Sequence, residues 1–448
     1  MRFNLKRHGI IGGATALILG GLAVLLLGAG GIVAWEYSNS NQFCATMCHS
    51  VHPEEIRAHT TGSHARVDCV ECHMGRISTL HMMALKPTHF KELWGMVVGY
   101  ERPLNAHALL PSRDNCEGCH WPEVIHRDSL AIKKRYDTDE KSSESAYQLL
   151  LHTGMGAIRE STANGIHWHI ANEVNFIATD PQRRTIPWVQ VKGADGKIST
   201  YVDTSSKLSE AELKKFKVRR LECYDCHNAV GHPLRNPEDL VDEAIASGEI
   251  DRSLPNAKAR AVALIEQSKN MTGPHKEMGP KIEKLIADSA PKGEAKPGMQ
   301  EKEKKFQAAM KRILVDSSFS SEGLSWQSFP NHAGHKDFPG CFRCHNGTHL
   351  NEQGEPIRLQ CTLCHSLPQV AREGTMVTVA STVAAGLTPP PSHEEPNFMH
   401  DHRTKLDDSC TMCHGKIEWG ADGGSFCSNP ACHGRKWPEM TLDPQARK

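Results

Sequence analysis

Sixteen cysteines fall into eight pairs along the chain, and the second member of every pair is followed at once by histidine. The pairs are Cys44 and Cys48 with His49, Cys69 and Cys72 with His73, Cys116 and Cys119 with His120, and Cys223 and Cys226 with His227. They continue with Cys341 and Cys344 with His345, Cys361 and Cys364 with His365, Cys410 and Cys413 with His414, and Cys427 and Cys432 with His433. No cysteine is left over. C-x-x-C-H is the attachment signature of c-type haem: two thioethers hold the macrocycle and the adjacent histidine ligates the iron. Eight such histidines by coincidence would have a probability on the order of 10⁻¹⁰. Eight disulfides would suit an oxidising compartment but give no reason for the histidines. Structural zinc takes its ligands in fours at finger-like separations, which these pairs do not follow. The first and last pairs depart from the two-residue spacer, with three residues between Cys44 and Cys48 and four between Cys427 and Cys432. A longer loop still reaches both attachment points with a distorted backbone.

Eight haems in 448 residues make one for every 56, and this explains a composition otherwise poor in core material. Hydrophobic residues are 39% and aromatics 6%, with a mean hydropathy of −0.47. The porphyrins supply the core, so the expected fold is mainly α with little regular sheet, short helices and loops wrapping a haem-packed centre. The 52 basic residues balance the 52 acidic ones, which argues against a nucleic-acid binder.

Of 27 histidines, eight are proximal ligands by this reading, and a second axial imidazole for every iron would take eight more. Two neutral imidazoles give a site with no open position for substrate. The distal candidates are His64, His167, His169, His232, His332, His335, His349, His400 and His402. They lie close to the motifs, except His167 and His169, which form an isolated Ile166-His-Trp-His-Ile170 cluster.

Arg2, Lys6 and Arg7 precede 27 uncharged residues from Gly9 to Trp35. As a helix these span about 40 Å at 1.5 Å per residue, enough to cross a bilayer with some tilt. The stretch is too long for a signal-peptide core and no clear cleavage site follows it. It therefore reads as an uncleaved, single-pass anchor in the cytoplasmic membrane. The basic residues before it place the N-terminus in the cytoplasm, with the bulk of the chain in the periplasm. Gly13, Gly20, Gly21 and Gly28 offer a small-residue face through which the helix could make a homo-oligomer.

The expected organisation is a cytoplasmic N-terminus and anchor (1–36), a tetrahaem domain (37–235) with an insertion at about 128–215, a helical haem-free spacer (236–325), and a C-terminal tetrahaem domain (326–448). The insertion has a strand-like Ile186–Lys192 ahead of a turn at Gly193–Gly196.

The first half resembles the NapC/NirT family of membrane-anchored tetrahaem quinol dehydrogenases. The matching features are the single helix with a motif just beyond it, Gly62-Ser-His-Ala-Arg-Val-Asp-Cys69, Lys91-Glu-Leu-Trp-Gly95, and Cys223-Tyr-Asp-Cys226-His227-Asn-Ala-Val-Gly-His232. Pro339-Gly-Cys-Phe-Arg-Cys-His345 and Cys427-Ser-Asn-Pro-Ala-Cys-His433-Gly434 resemble a module of extended multihaem relatives in metal-reducing bacteria, so the whole looks like an octahaem relative. The resemblance implies electron flow from menaquinol in the membrane quinone pool, along the haems, to a periplasmic cytochrome, a terminal reductase or an extracellular partner. It also implies a quinol site near the first haem, with Lys86, Lys91 and Glu92 as candidates. Where the family has a methionine ligand after the first motif, this chain has Val51 and then His52, so His49 and His52 are the candidates there. Two other readings stay open: a catalytic multihaem oxidoreductase of small nitrogen or sulfur compounds, and reverse flow into the quinone pool. The first needs an open iron, and no C-x-x-C-K variant occurs.

Overall fold

The computed structural model describes residues 5–48, 53–89, 94, 98–99, 111–120, 128–154, 165–193, 195–273, 275–291, 298–320, 322–358, 363–366 and 369–376. The protein is mainly helical, with 43% helix and 15% strand.

Helix α1 (Leu5–Ser38) runs through the apolar stretch and one turn beyond it. Its segment Leu17–Ser38 is long and apolar enough to cross a membrane, and none of it is buried against the rest of the protein. Gly20, Gly21 and Gly28 face open space. The chain leaves the helix through Ser40, whose hydroxyl caps the next turn at the Phe43 amide, and enters the first motif at Cys44. Helix α2 (Pro53–Thr61) and α3 (Cys69–His73), which is the second motif itself, follow.

Two small antiparallel sheets occupy the region between the third and fourth motifs. One has the order β1 (Ser129–Tyr136), β2 (Glu144–Leu151), β8 (Gln369–Arg372), β9 (Thr375–Met376). The other has the order β6 (Arg219–Arg220), β3 (Glu173–Ile177), β4 (Trp188–Lys192), β5 (Ile198–Asp203), β7 (His349–Leu350). The β4–β5 hairpin turns where the Gly193–Gly196 signal predicts it, Gly196 taking a φ of 78° that only glycine adopts without strain. Both sheets recruit strands from beyond the fifth motif, since β2 pairs with β8 and β5 with β7. Strands from before the fourth motif thus pair with strands from after the fifth.

The cysteine-free stretch folds into four helices: α4 (Pro237–Ala246), α5 (Ala257–Ser268), α6 (His275–Asp288) and α7 (Met299–Asp316). Helix α4 starts at an Asn236 cap with Pro237 in the first turn, where a missing N–H costs nothing. The Pro/Gly/Lys stretch at 289–298 separates α6 from α7. Their apolar faces meet in one cluster around Val241, Leu264, Met278, Ile282, Phe306, Met310 and Ile313. This is an ordinary aliphatic core that needs no cofactor to fill it. It is joined to the rest by polar contacts. Arg57 of α2 donates to Ser318 O at 2.9 Å, and the buried Glu54 accepts from the Ser320 amide. Lys258 and Asp242 form a buried ion pair of 2.8 Å, which Arg135 of β1 joins at 3.0 Å.

Candidate haem-iron and membrane-face sites

The motif histidines find partners in space that the sequence leaves unassigned. His73 lies against His232 with ring centres 6.1 Å apart, His120 against His64 at 6.0 Å, and His227 against His167 at 6.4 Å. His345 faces His169 at 5.7 Å, their Nε2 atoms 3.4 Å apart, and His365 faces His335 at 6.2 Å. A metal–imidazole bond is about 2 Å and the ring centre sits about 1.2 Å behind the nitrogen, so two imidazoles on opposite faces of one ion have centres about 6.3 Å apart. All five pairs fall near that spacing. Each joins one motif histidine to one histidine from elsewhere. The residues present therefore fit an iron between the rings, with the cysteines of the same motif beside it.

Hydrogen bonds at the other ring nitrogen sharpen the distinction. A ligating histidine hands its second N–H to a carbonyl, which fixes the tautomer and leaves the ligating nitrogen unprotonated. Nδ1 of His167 lies 2.7 Å from Thr153 O, that of His169 2.7 Å from Ile166 O, and that of His232 2.9 Å from Glu55 O. His345 and His365 do the same with Arg358 O at 2.6 Å and Ser366 O at 2.7 Å. Nδ1 of His64 lies 3.1 Å from the Ser63 hydroxyl oxygen, to which it can donate. In the His169–His345 pair the two Nε2 atoms face each other directly.

His332 and His349 are arranged the other way round. Nε2 of His332 lies 2.8 Å from Gln182 O, and Nε2 of His349 lies 2.7 Å from Ile186 O. Both are almost wholly buried, His349 completely, and among the described residues neither lies against a motif histidine ring. Both rings thus commit Nε2 to a backbone carbonyl just ahead of β4. Burial, reinforced by Arg343, lowers His332 to about 4, which keeps the ring neutral. His59, also 6.1 Å from His232, commits its Nε2 to Val67 O at 3.1 Å. His49, His52, His400, His402, His414, His433, Cys361, Cys410, Cys413, Cys427 and Cys432 lie outside the described residues.

The sulfurs of successive motifs adjoin one another. Cys44 lies beside Cys69, and Cys116 beside Cys223. Cys72 is within electrostatic reach of Cys119, Cys226 of Cys341, and Cys341 of Cys364. In chain order, motifs one to six thus form an unbroken run. Sequence reasoning missed what bolts the fourth to the fifth. Arg343, in the spacer of the fifth motif, donates to Asp225 O and Arg183 O at 2.9 Å each and to Gly340 O at 2.9 Å. Arg183 in turn pairs with the Asp225 carboxylate. A spacer arginine leaves no mark in a motif scan, because the two middle positions of C-x-x-C-H are unrestricted.

At the membrane end, Lys86 folds back onto the last turns of α1. Its ammonium sits 4.4 Å from the centre of the Trp35 ring and donates to the Ser38 hydroxyl. Burial lowers its pKa from the usual lysine value, opposed by the charge of nearby Cys44. The ammonium is thus a donor held against an aromatic face at the end of the apolar helix, near Cys44. Lys91 and Glu92 lie outside the described residues.

Comparison with known proteins follows the same division. Residues 8–108 match the NapC/NirT cytochrome c family, N-terminal region. The chain is 35% identical over 348 residues to the cytochrome c-type protein ImcH of Geobacter sulfurreducens, covering 77% of this chain and 68% of that one. It is 36% identical over 169 residues to the denitrification system component NirT of Stutzerimonas stutzeri, covering 32% of this chain and 83% of the relative. No solved structure matches the chain.

Proposed function

The chain belongs to the NapC/NirT cytochrome c family of membrane multihaem cytochromes, and from that premise we propose that it carries eight covalent haems, oxidises menaquinol at the outer face of the cytoplasmic membrane and passes the electrons to a periplasmic or extracellular partner. Haem supplies one-electron chemistry at an iron whose two imidazoles stay in place. The protein contributes the fixed ligand pairs, and with both faces of five irons taken by histidine it has little use for a bound small-molecule substrate there. That favours electron transfer over a catalytic reductase.

The observation that carries the quinol reading is the placement of Lys86. A quinol head group reaching the bilayer surface meets an ammonium that is partly stripped of water and close to Cys44. Lys86 donates a hydrogen bond to a quinol oxygen. Haem held at the first motif would supply a one-electron acceptor for each of the quinol's two electrons, and the two protons would leave to water on the periplasmic side. The anchor supplies the proximity, since α1 ends six residues before Cys44. Division of the chain into an anchor (1–36), a tetrahaem half (37–235), a helical brace (236–325) and a second tetrahaem half (326–448) belongs to the same proposal.

The test uses full-length, haem-loaded protein in detergent or liposomes, mixed anaerobically with a menaquinol analogue. The haem absorption should show reduction, and Lys86→Met should slow it at least tenfold with the oxidised spectrum unchanged. Haems that dithionite reduces and the quinol does not would overturn the proposal.

A further inference from the structure

The insertion carries two histidines, two residues apart, that reach motif histidines in different halves of the chain. His167 lies against His227 of the fourth motif, and His169 against His345 of the fifth. From this geometry we infer that the segment His167-Trp168-His169 is a clip that supplies the sixth ligand to two different irons, those of the fourth and fifth motifs, and so joins the two haem groups into one conductor. The inference rests on haem attachment at those two motifs and is independent of quinol oxidation.

Four observations support the clip. Both rings have Nδ1 fixed by a backbone carbonyl, Thr153 O and Ile166 O, so each presents an unprotonated Nε2 lone pair, and ligation displaces no proton. His167 is the residue entering the single helical turn Trp168–Ala171, which sends successive alternate side chains to different sides. Trp168 packs edge-on to His169 at 5.7 Å and against the small core of Val174, Phe176, Ile186 and Val189, which anchors the clip on the second sheet. The motifs it reaches are themselves locked together. Arg343 binds the Asp225 carbonyl, and Asn228, just after the fourth motif, donates to Pro330 O at 2.6 Å and accepts from the His332 amide at 2.9 Å.

The geometry limits how far the two irons can part. Two residues of chain span at most about 7 Å between Cα atoms. Ligands so closely tethered cannot serve irons that drift independently, whatever hinge lies elsewhere. The insertion, otherwise a pair of small sheets, thereby acquires a role: it fixes the junction of the two tetrahaem halves.

The experiment uses full-length, haem-loaded protein with His167→Ala, His169→Ala, the double variant, and His152→Ala as a control. His152 belongs to the same region but bonds Asp128 at 2.8 Å. Peptide mass analysis checks haem on the fourth and fifth motifs, and ferric electron paramagnetic resonance counts spin states. One haem equivalent should turn high-spin in each single variant and two in the double, with none in the control, and added imidazole should restore the low-spin signal. Single variants that stay wholly low-spin would overturn the clip, as would a double variant that loses no more than either single one. Should the alanine variants fail to assemble, His167→Met and His169→Met retain a ligand. Each should gain a thioether-to-iron charge-transfer band, and its absence in haem-loaded protein is equally adverse.

Discussion

Arg343 Nη2 donates to the backbone carbonyl of Asp225 at 2.9 Å, binding the spacer of one C-x-x-C-H motif to the spacer of another 118 residues earlier. The guanidinium is 8% exposed and spends its donors on three carbonyls. Arg343→Met leaves those carbonyls without partners in a buried setting, and leaves Asp225, whose carboxyl burial already pushes up against the pull of Arg183, with less positive charge nearby. The expected cost is about 3 kcal/mol. Chemical denaturation should show it, with the low-spin haem count retained, because no ligand is removed.

Histidines that ligate and histidines that only pack should separate cleanly. His232→Ala removes the ring that lies 6.1 Å from His73 and should produce one high-spin haem by electron paramagnetic resonance. His59→Ala, whose ring is equally close to His232, should produce none, because its Nε2 is committed to Val67 O. His349→Phe should also leave all haems low-spin while costing about 1–3 kcal/mol for the stranded Ile186 carbonyl. A high-spin haem in His349→Phe would show that His349 ligates an iron.

Attachment chemistry was legible in the sequence because it is written in contiguous residues: each motif carries its cysteines and its proximal histidine within a few positions. The anchor was legible for the same reason, as an apolar run. Distal partners were legible only as a pool. His232 and His73 are 159 positions apart, and nothing local distinguishes His167 from His332. Which ring nitrogen meets a backbone carbonyl decides the matter, and the carbonyls come from distant segments such as Glu55 for His232 and Gln182 for His332. The helices after the fourth motif were legible from composition, yet their contact with α2 through Arg57 and Glu54 was not. It joins residues more than 250 positions apart through backbone groups that have no sequence signature.

The helical core should be separable from the haem chemistry. Met310 is fully buried among Phe306, Ile313 and their neighbours, a cluster that among the described residues holds no motif residue. Met310→Ala should cost about 2–5 kcal/mol through lost contacts and the cavity left behind. The oxidised and reduced haem spectra of the folded variant should match the parent's, and a changed native spectrum would mean that this core sets haem geometry directly.

Asp239 should govern part of the acid limit. It lies on α4, where Arg135 of β1 and Lys336, the neighbour of His335, both close on its carboxylate. Burial opposes the charge, but the two cations outweigh it and hold the pKa below the usual 3.8. A carboxyl whose folded pKa is depressed stabilises the fold fully above its unfolded value, and the contribution disappears as pH falls through the folded value. Asp239→Asn should therefore cost about 2 kcal/mol at pH 7, with the gap to the parent closing below about pH 4. Denaturation midpoints measured across that range test the sign. A gap that stays constant down to the acid limit would mean that the contact acts through packing and not through charge. Because Lys336 adjoins His335, the same variant should also broaden the spectrum of the sixth haem at neutral pH, while His227 and His345, held by the clip and by Arg343, should be unaffected.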